Sequence, residues 1–306
     1  YKLALCHNTK MDMSATGNWS SLPLVPLSDE MMGTPLESDV HLSPVKHNKP
    51  YDSSEEYMDT YFRLLRTECF SGMQSGIKSL LSGELDERDM RVYYKVAVTG
   101  FCASRASMNI AVSFQTIQPV KNWEKSPHFM FGNLICLSPS GNFKDPIWAT
   151  VADKDSDLLN KQQTIQLQLC SEFNTLSTSE VLMKLTASSG FTVMVESPLY
   201  FHSIRPVLQS LQKFDMELFP LMNEVIHCEY SQEFPDFITE DSVFDVSSIF
   251  KPRIPGCESF TLENLKNNIH SSILDKSQQV ALLESLQNPL AIIQGPPGCG
   301  KTFIGT

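Results

Sequence analysis

Between residues 53 and 82 the apolar positions fall at helical spacing. Tyr57, Tyr61, Leu64, Leu65, Cys69, Met73, Ile77, Leu80 and Leu81 recur three, four and seven apart, which predicts one long amphipathic helix. Ser53 and Glu56 stand at capping-box spacing before it, and Gly83 supplies its stop. Arg63 and Arg66 ride beside the stripe, where the expected reading is a solvated face rather than an RNA phosphate contact.

From Arg88 the period changes to two. Val92, Tyr94, Val96 and Val98 alternate with Tyr93, Lys95, Ala97 and Thr99, and Ile110, Val112 and Phe114 continue the pattern. Further strands are expected at 133–137, 147–151, 165–169, 181–185 and 191–195, with Gln166 and Gln168 giving one strand a wet face. Short strands separated by turns such as Ser138-Pro-Ser-Gly141 suggest a barrel or sandwich, and closure would remove exposed edges. Tyr93, Lys95, Lys144 and Trp148 are available to a single-stranded nucleic acid, although core packing is the favoured role for each ring.

Helical spacing returns over 197–214 through Tyr200, Phe201, Ile204, Val207, Leu208 and Leu211, with Pro206 predicted to kink the helix unless it falls in the first turn. Two helices flanking the strand-rich insert suggest a stalk carrying a barrel. Residues 215–260 lack a period and read as an irregular connection. After one or two helical turns at 262–270, Asp275 is expected to cap a helix over 276–287, with Gln278 completing a capping box and Val280, Leu283 and Leu286 facing inward. Residues 290–294 then read as a short buried strand.

That strand leads into Gly295-Pro-Pro-Gly-Cys-Gly-Lys301-Thr302, which fits the phosphate-binding pattern G-x-x-x-x-G-K-[ST], and Phe303 opens what should be a helix. The residue types follow from the chemistry. Glycines allow backbone N–H groups to converge on phosphate oxygens, a lysine reaches the β- and γ-phosphates, and the following hydroxyl ligates Mg²⁺. Gly295, Pro296, Pro297, Gly298, Cys299, Gly300, Lys301, Thr302 and Phe303 are therefore the candidate ATP-binding residues, Lys301 and Thr302 the candidate catalytic ones, and Thr302 the metal ligand.

The expected division is an arm over 1–50, a stalk helix over 51–86, a β-barrel-like insert over 87–196, a second stalk helix with connector over 197–260, and the truncated start of a RecA-like domain over 261–306. Within the arm, Trp19, Leu22, Leu24, Val25 and Leu27 are able to dock as a short anchored segment, against a disordered lead-in. The fold class is thus an α/β multidomain fragment. The chain starts at Tyr1 and stops four residues after the motif, so both ends read as cut from a longer protein.

Composition sharpens this in a few places. No run reaches the ~18 apolar residues of a membrane span. The net charge of −11 leaves no basic nucleic-acid footprint over the chain as a whole, although a local basic groove is compatible with it. The eight cysteines have neither C-x-x-C nor Cys/His spacing, which removes a zinc signature and suits a reducing intracellular compartment. Asn18-Trp19-Ser20 then has no meaning as a glycosylation sequon.

Leu274-Asp-Lys-Ser-Gln278, Ala281 and the 295–302 loop together resemble the first RecA-like domain of Upf1-like superfamily 1 helicases. The blocks Tyr57-Met-Asp-Thr-Tyr-Phe62, Phe131-Gly-Asn-Leu-Ile-Cys-Leu137, Ala149-Thr-Val-Ala-Asp153 and Val195-Glu-Ser-Pro-Leu-Tyr-Phe201 are similar to those of NFX-type zinc-finger-containing helicases. The resemblance implies an ATP-dependent RNA helicase using ATP and Mg²⁺, with RNA and the RNA-silencing machinery as partners, in the cytoplasm, nucleus or RNA granules. Relatives of this kind act in small-RNA silencing, heterochromatin-linked RNA complexes and antiviral RNA sensing. It also implies that Gln278 reads the adenine, a role that competes with capping its own helix. Cys299 stands where the family has Thr. The Asp-Glu metal motif, the arginine finger, a second RecA domain and the zinc fingers are not in these residues, so the fragment alone is expected to be inactive. The alternatives are a AAA-type ATPase, which shares the Gly-Pro-Pro-Gly loop, and a non-catalytic scaffold built on the barrel and stalk.

Overall fold

The computed structural model describes residues 18–32, 42–84, 90–103, 108–197, 199–229, 234–235, 238–239, 241–250 and 259–305. These divide into two compact units, one holding Met58–Phe214 with the N-terminal arm, the other Lys46–Tyr57 with Asp215–Thr306. Much of the arm, Arg88 and Cys257 lie outside the described residues.

In the first unit the arm has a docked stretch. Leu24 and Val25 are buried, and α1 (Ser28–Met32) follows them with Met31 fully buried. Trp19, Leu22 and Leu24 join a cluster with Phe62 and Leu208, so the anchored-segment reading is the one that holds for 18–32, although Leu27 stays half-exposed. The next helix, α2 (Ser54–Ser82), starts where Ser53 Oγ accepts the Glu56 N–H at 3.2 Å. The Glu56 carboxylate accepts from the Asp52 N–H at 2.8 Å, one residue before the position a capping box requires. Gly83 ends the helix with φ +78°.

The buried stripe of α2 is rotated from the expected one. Met58, Phe62, Cys69, Phe70, Met73 and Ile77 are inside, whereas Tyr61 and Leu81 are exposed. The rotation also carries the two arginines inward, correcting the expected solvated face. Arg66 is buried with both guanidinium ends on Glu30, at 2.7 and 2.8 Å, and donates to the carbonyls of Pro23 and Val25. Arg63 is buried against Asp59. Arg66 thus pins the arm to the helix, since a buried guanidinium requires all its donors satisfied.

Six strands close an antiparallel barrel: β1 (Arg91–Ala103), β2 (Met108–Gln115), β3 (Leu134–Ser138), β4 (Ile147–Asp153), β5 (Thr164–Leu169) and β6 (Thr192–Glu196). Their order is β1-β2-β5-β4-β3-β6, with β6 returning to β1. Val96, Ile110, Val112, Ile135, Leu137, Ala149, Val151, Ile165, Leu167 and Met194 fill the interior, the expected content of a small barrel. The opposite face of β3, β4 and β6 is buried too. Leu134, Cys136, Trp148 and Val195 pack with Phe70, Met73 and Ile77 of α2, so the strands in this wall are apolar on both faces.

The strict alternation expected in β1 breaks at Lys95, whose φ is +51°, where the register with both neighbouring strands shifts. This bulge places Tyr93 and then Val96 inward rather than keeping one parity. Between β4 and β5 lies α3 (Ser156–Gln162), which the sequence reading did not anticipate. The strand expected at 181–185 is instead α4 (Thr178–Ala187). Ser177 and Glu180 form a full capping box, and Val181 and Leu185, four apart, seal the barrel interior. Periodicity over five residues cannot separate a strand from one helical turn, whereas the cap can.

A polar cluster lies within the barrel wall. Glu196 is fully buried and its Oε1 accepts from Phe129 N at 2.8 Å, Asn133 Nδ2 at 2.7 Å and Arg91 Nη1 at 3.1 Å, while Oε2 accepts from the Tyr93 hydroxyl at 2.7 Å. Burial, and then the Glu196 charge, hold the Tyr93 phenol well above its ordinary pKa, so it donates. Its oxygen lies 2.8 Å from His128 Nδ1. Burial first, then Arg91 and Lys154, push the His128 imidazole down to about 4. The unfolded chain therefore takes up a proton near pH 6.5 that the native state refuses until about 4. Stability from this group is complete above pH 6.5 and is lost as pH falls through that window. Melting temperatures followed from pH 7 to 5 are expected to fall, and the fall is expected to be shallower in His128→Gln. Parallel curves would remove His128 from the explanation.

The first unit ends with α5 (Phe201–Gln212), which contains Pro206 in its second turn. Phe201 lies against Phe70 at 5.9 Å between ring centroids, and Leu208 shares a cluster with Phe62. Residues descending α5 thus meet α2 in reverse order. In the second unit, the expected irregular connection consists of short turns, α6 (Met222–Val225) and a two-residue ladder between β7 (Val243–Phe244) and β8 (Phe260–Thr261). Phe250 stacks on Phe260, and α7 (Leu262–Asn268) adds Leu265 to the same cluster.

Candidate nucleotide-binding site

Asp275 caps α8 (Lys276–Gln287), as its spacing predicts. Its carboxylate accepts the Gln278 N–H at 2.9 Å and the Ser277 hydroxyl at 2.7 Å, and Gln278 Oε1 accepts the Asp275 N–H at 3.1 Å. The Ser277 bond, then the Gln278 N–H, hold the Asp275 carboxyl below its usual range. Leu282, Leu283 and Leu286 pack inward from α8, but Val280, expected on that face, is 58% exposed.

The capping box uses one end of the Gln278 amide. The other end, Nε2, donates 3.1 Å to the carbonyl of Cys299, twenty-one residues on. One side chain thus ties the start of α8 to the glycine-rich loop. Gly300 has φ +84°, and a Cβ there would stand 2.7 Å from Gln278 Nε2. Gly298 has φ +82°, and a Cβ on Gly295 would stand 2.6 Å from Cys299 Sγ. Glycine is needed at the first two for conformation and at the third for space.

Lys301 opens the four-residue helix α9 (Lys301–Ile304). Its ammonium turns back into the loop and donates 2.8 Å to the carbonyls of Gly295 and Pro296, with Cys299 Sγ 3.5 Å away. Thr302 and Phe303 are exposed. A cavity of about 540 Å³ is lined by Gln278, Gly295, Pro296, Cys299 and Lys301, and by Asp275, Glu284 and Asn288, polar residues that the motif did not single out.

The strand expected over 290–294 is not formed. The segment has no ladder among the described residues, and Ile292 is 82% exposed. A central strand of a parallel sheet is stabilised by neighbours on both sides, and none pairs with this one here. The start of a RecA-like sheet therefore does not appear among the described residues.

The barrel candidates are dispersed. Tyr93 is buried in the interior and Trp148 on the outer face beneath Phe70, so the two rings sit on opposite sides of the wall, consistent with packing roles. Lys95 and Lys144 are exposed.

The ZNFX1 domain family matches residues 85–198, a span that contains all six barrel strands. The chain is also 30% identical over 312 residues to "NFX1-type zinc finger-containing protein 1" of Homo sapiens, and 30% identical to its Mus musculus counterpart, each covering 94% of this chain. Nearly the whole chain is thus similar to NFX1-type zinc-finger-containing proteins. A Schizosaccharomyces pombe relative named "Helicase required for RNAi-mediated heterochromatin assembly 1" is 27% identical over 95% of the chain. The chain spans 16% of the length of the human and mouse relatives and 28% of the yeast one. The match therefore reaches well past the barrel to both units. No helix of the described residues is long and apolar enough to cross a membrane.

Proposed function

We propose that this region of an NFX1-type protein belongs to an ATP-dependent RNA helicase of superfamily 1, with the 295–302 loop as its nucleotide-binding element. The observation that carries the reading is the loop itself. Two glycines have positive φ, and a lysine ammonium is folded onto the loop's own carbonyls within a cavity that Gln278 also lines. An ammonium held by two neutral carbonyls and the Cys299 sulfur is placed to exchange them for phosphate oxygens, a stronger charge-assisted pairing.

Bound ATP with Mg²⁺ supplies the phosphoanhydride whose cleavage drives the cycle. The backbone from Gly295 to Gly300 and the Lys301 ammonium would hold the phosphates, the Thr302 hydroxyl would hold the metal, and Phe303 lies beside them. Gln278 would recognise the adenine by releasing at least one of its two amide bonds, to Asp275 N or Cys299 O. The name of the yeast relative supports RNA and RNA-silencing components as partners, and with them an intracellular setting.

The test is ATP hydrolysis by the intact protein with and without single-stranded RNA. Turnover raised several-fold by RNA is the expected result. Turnover indifferent to RNA from a hexameric protein would favour the AAA-type alternative, and absence of turnover with intact RNA binding would favour the scaffold.

A further inference from the structure

We propose that Phe131, His202 and Tyr200 form a stacking site for unpaired bases of single-stranded RNA on the first unit. The proposal rests on the RNA reading above and adds to it a site remote in sequence from the nucleotide loop.

Most large rings of the barrel are committed to packing, although Phe101 and Phe191 are also exposed. Tyr93, Phe114, Trp123 and Phe129 stack among themselves inside, and Phe70, Trp148 and Phe201 do so outside. Phe131 and Tyr200 are 60% and 39% exposed, and His202 between them is exposed as well. Both rings contact His202: Phe131 lies 5.7 Å from it and Tyr200 5.9 Å, between ring centroids. The ring planes are inclined at 66° and 56°, so the contacts run edge towards face, and each of the three rings stays partly exposed. Three neighbouring rings are thus partly open to solvent.

The support beneath it is rigid. Gly132 has φ +76°, and a Cβ there would come within 2.7 Å of the His202 Cβ, so the turn is pressed directly onto α5. The Gly132 N–H donates to Val151 O at 2.9 Å, and the Asn133 N–H closes the turn on Met130 O at 2.9 Å. Phe129 N is fixed by Glu196. Phe131 is therefore presented by a turn anchored on both sides, which lowers the ordering cost of binding.

The charge around this loop favours a polyanion over an apolar protein face. Lys121 and Lys125 are exposed and have no ion pair among the described residues. Arg91 and Lys154 hold the same loop by its carbonyls at Pro127 and Ser126. Against them stand Glu124 and Asp153, and Glu196, which pairs with Arg91 at 3.1 Å. In a chain of net charge −11, Lys121 and Lys125 are exposed cations on the same loop segment that carries Phe131. Rings that take bases and lysines that take the backbone are the two components of single-strand binding.

The experiment measures binding of a fluorescein-labelled 15-nucleotide oligouridylate to the intact protein without nucleotide. Combined Phe131→Ala and Tyr200→Ala replacement is expected to weaken binding about ten-fold or more, and Phe131→Trp to retain it. An abasic strand of equal length, keeping the phosphates, is expected to bind wild-type and double-variant proteins alike. Unchanged oligouridylate affinity in the double variant, whether or not it loses a protein partner, would overturn the site while leaving an RNA-stimulated ATPase standing. Wild-type protein that binds no RNA would overturn both. If the double variant melts below wild type, Phe131→Ala alone against Phe131→Trp decides by the same criterion.

Discussion

Replacing Glu196 by Ala is expected to lower the melting temperature of the barrel by about 10 °C or more. The carboxylate is fully buried and accepts four hydrogen bonds, from Arg91, Tyr93, Phe129 and Asn133. Removing it leaves a guanidinium without its ion partner and the Phe129 N–H and Asn133 amide without this acceptor, with Tyr93 left to His128 Nδ1, where Asn133 Oδ1 already lacks a partner. Deleting one member of a buried ion pair costs about 3–5 kcal/mol, and one kcal/mol moves the melting point of a domain this size by about 2–4 °C. Glu196→Gln keeps the shape and one acceptor oxygen but turns an NH₂ towards donors, so it should fall between. A Glu196→Ala protein melting within a degree of wild type would show that water replaces the carboxylate at little cost. The network also joins β6 to β1 and to the 121–133 loop, so its loss should loosen Phe131 along with the barrel.

Much of the barrel was legible because its strands announce themselves. The alternations at 110–114 and 165–169 and the apolar runs at 133–137, 147–151 and 191–195 all became strands, shifted by one or two residues at their ends. What escaped depended on contacts distant in sequence. The 181–185 segment reads as a strand by its apolar content, but a cap at Ser177 and the open end of the barrel made it a helix. The parity of β1 depended on a bulge at Lys95 that no local pattern requires. Arg66 read as a surface charge because its partner, Glu30, lies thirty-six residues earlier on an arm with no period of its own. The reverse holds at the nucleotide loop. The motif and the Asp275–Gln278 cap are local, and both were visible. The bond from Gln278 to Cys299 joins them across twenty-one residues and engages the second end of the amide, so the competition that the sequence posed persists in the structure. The 290–294 segment has the composition of a buried strand, but a strand is completed by its neighbours, and composition cannot supply them.

Replacing Lys301 by Ala is expected to lower ATP turnover by the intact protein by on the order of 10²–10³-fold, the range for losing one preorganised charge from a reacting centre. The side chain is already drawn into the loop by the carbonyls of Gly295 and Pro296, so its charge is fixed in place before nucleotide arrives. Lys301→Arg should not rescue, because a planar fork cannot reproduce a compact ammonium bonded to two carbonyls in so small a turn. The barrel should be untouched, since its residues cluster in a different compact unit, and its melting transition should coincide with wild type. The informative comparison is with Gln278→Ala. That change removes a cap bond and the tie to Cys299 but no charge, so it should raise the apparent KM for ATP more than it lowers kcat, whereas Lys301→Ala should act chiefly on kcat. Wild-type turnover in Lys301→Ala would refute the assignment of the loop. Equal effects of the two replacements on both constants would mean that Gln278 acts only by holding the loop's shape.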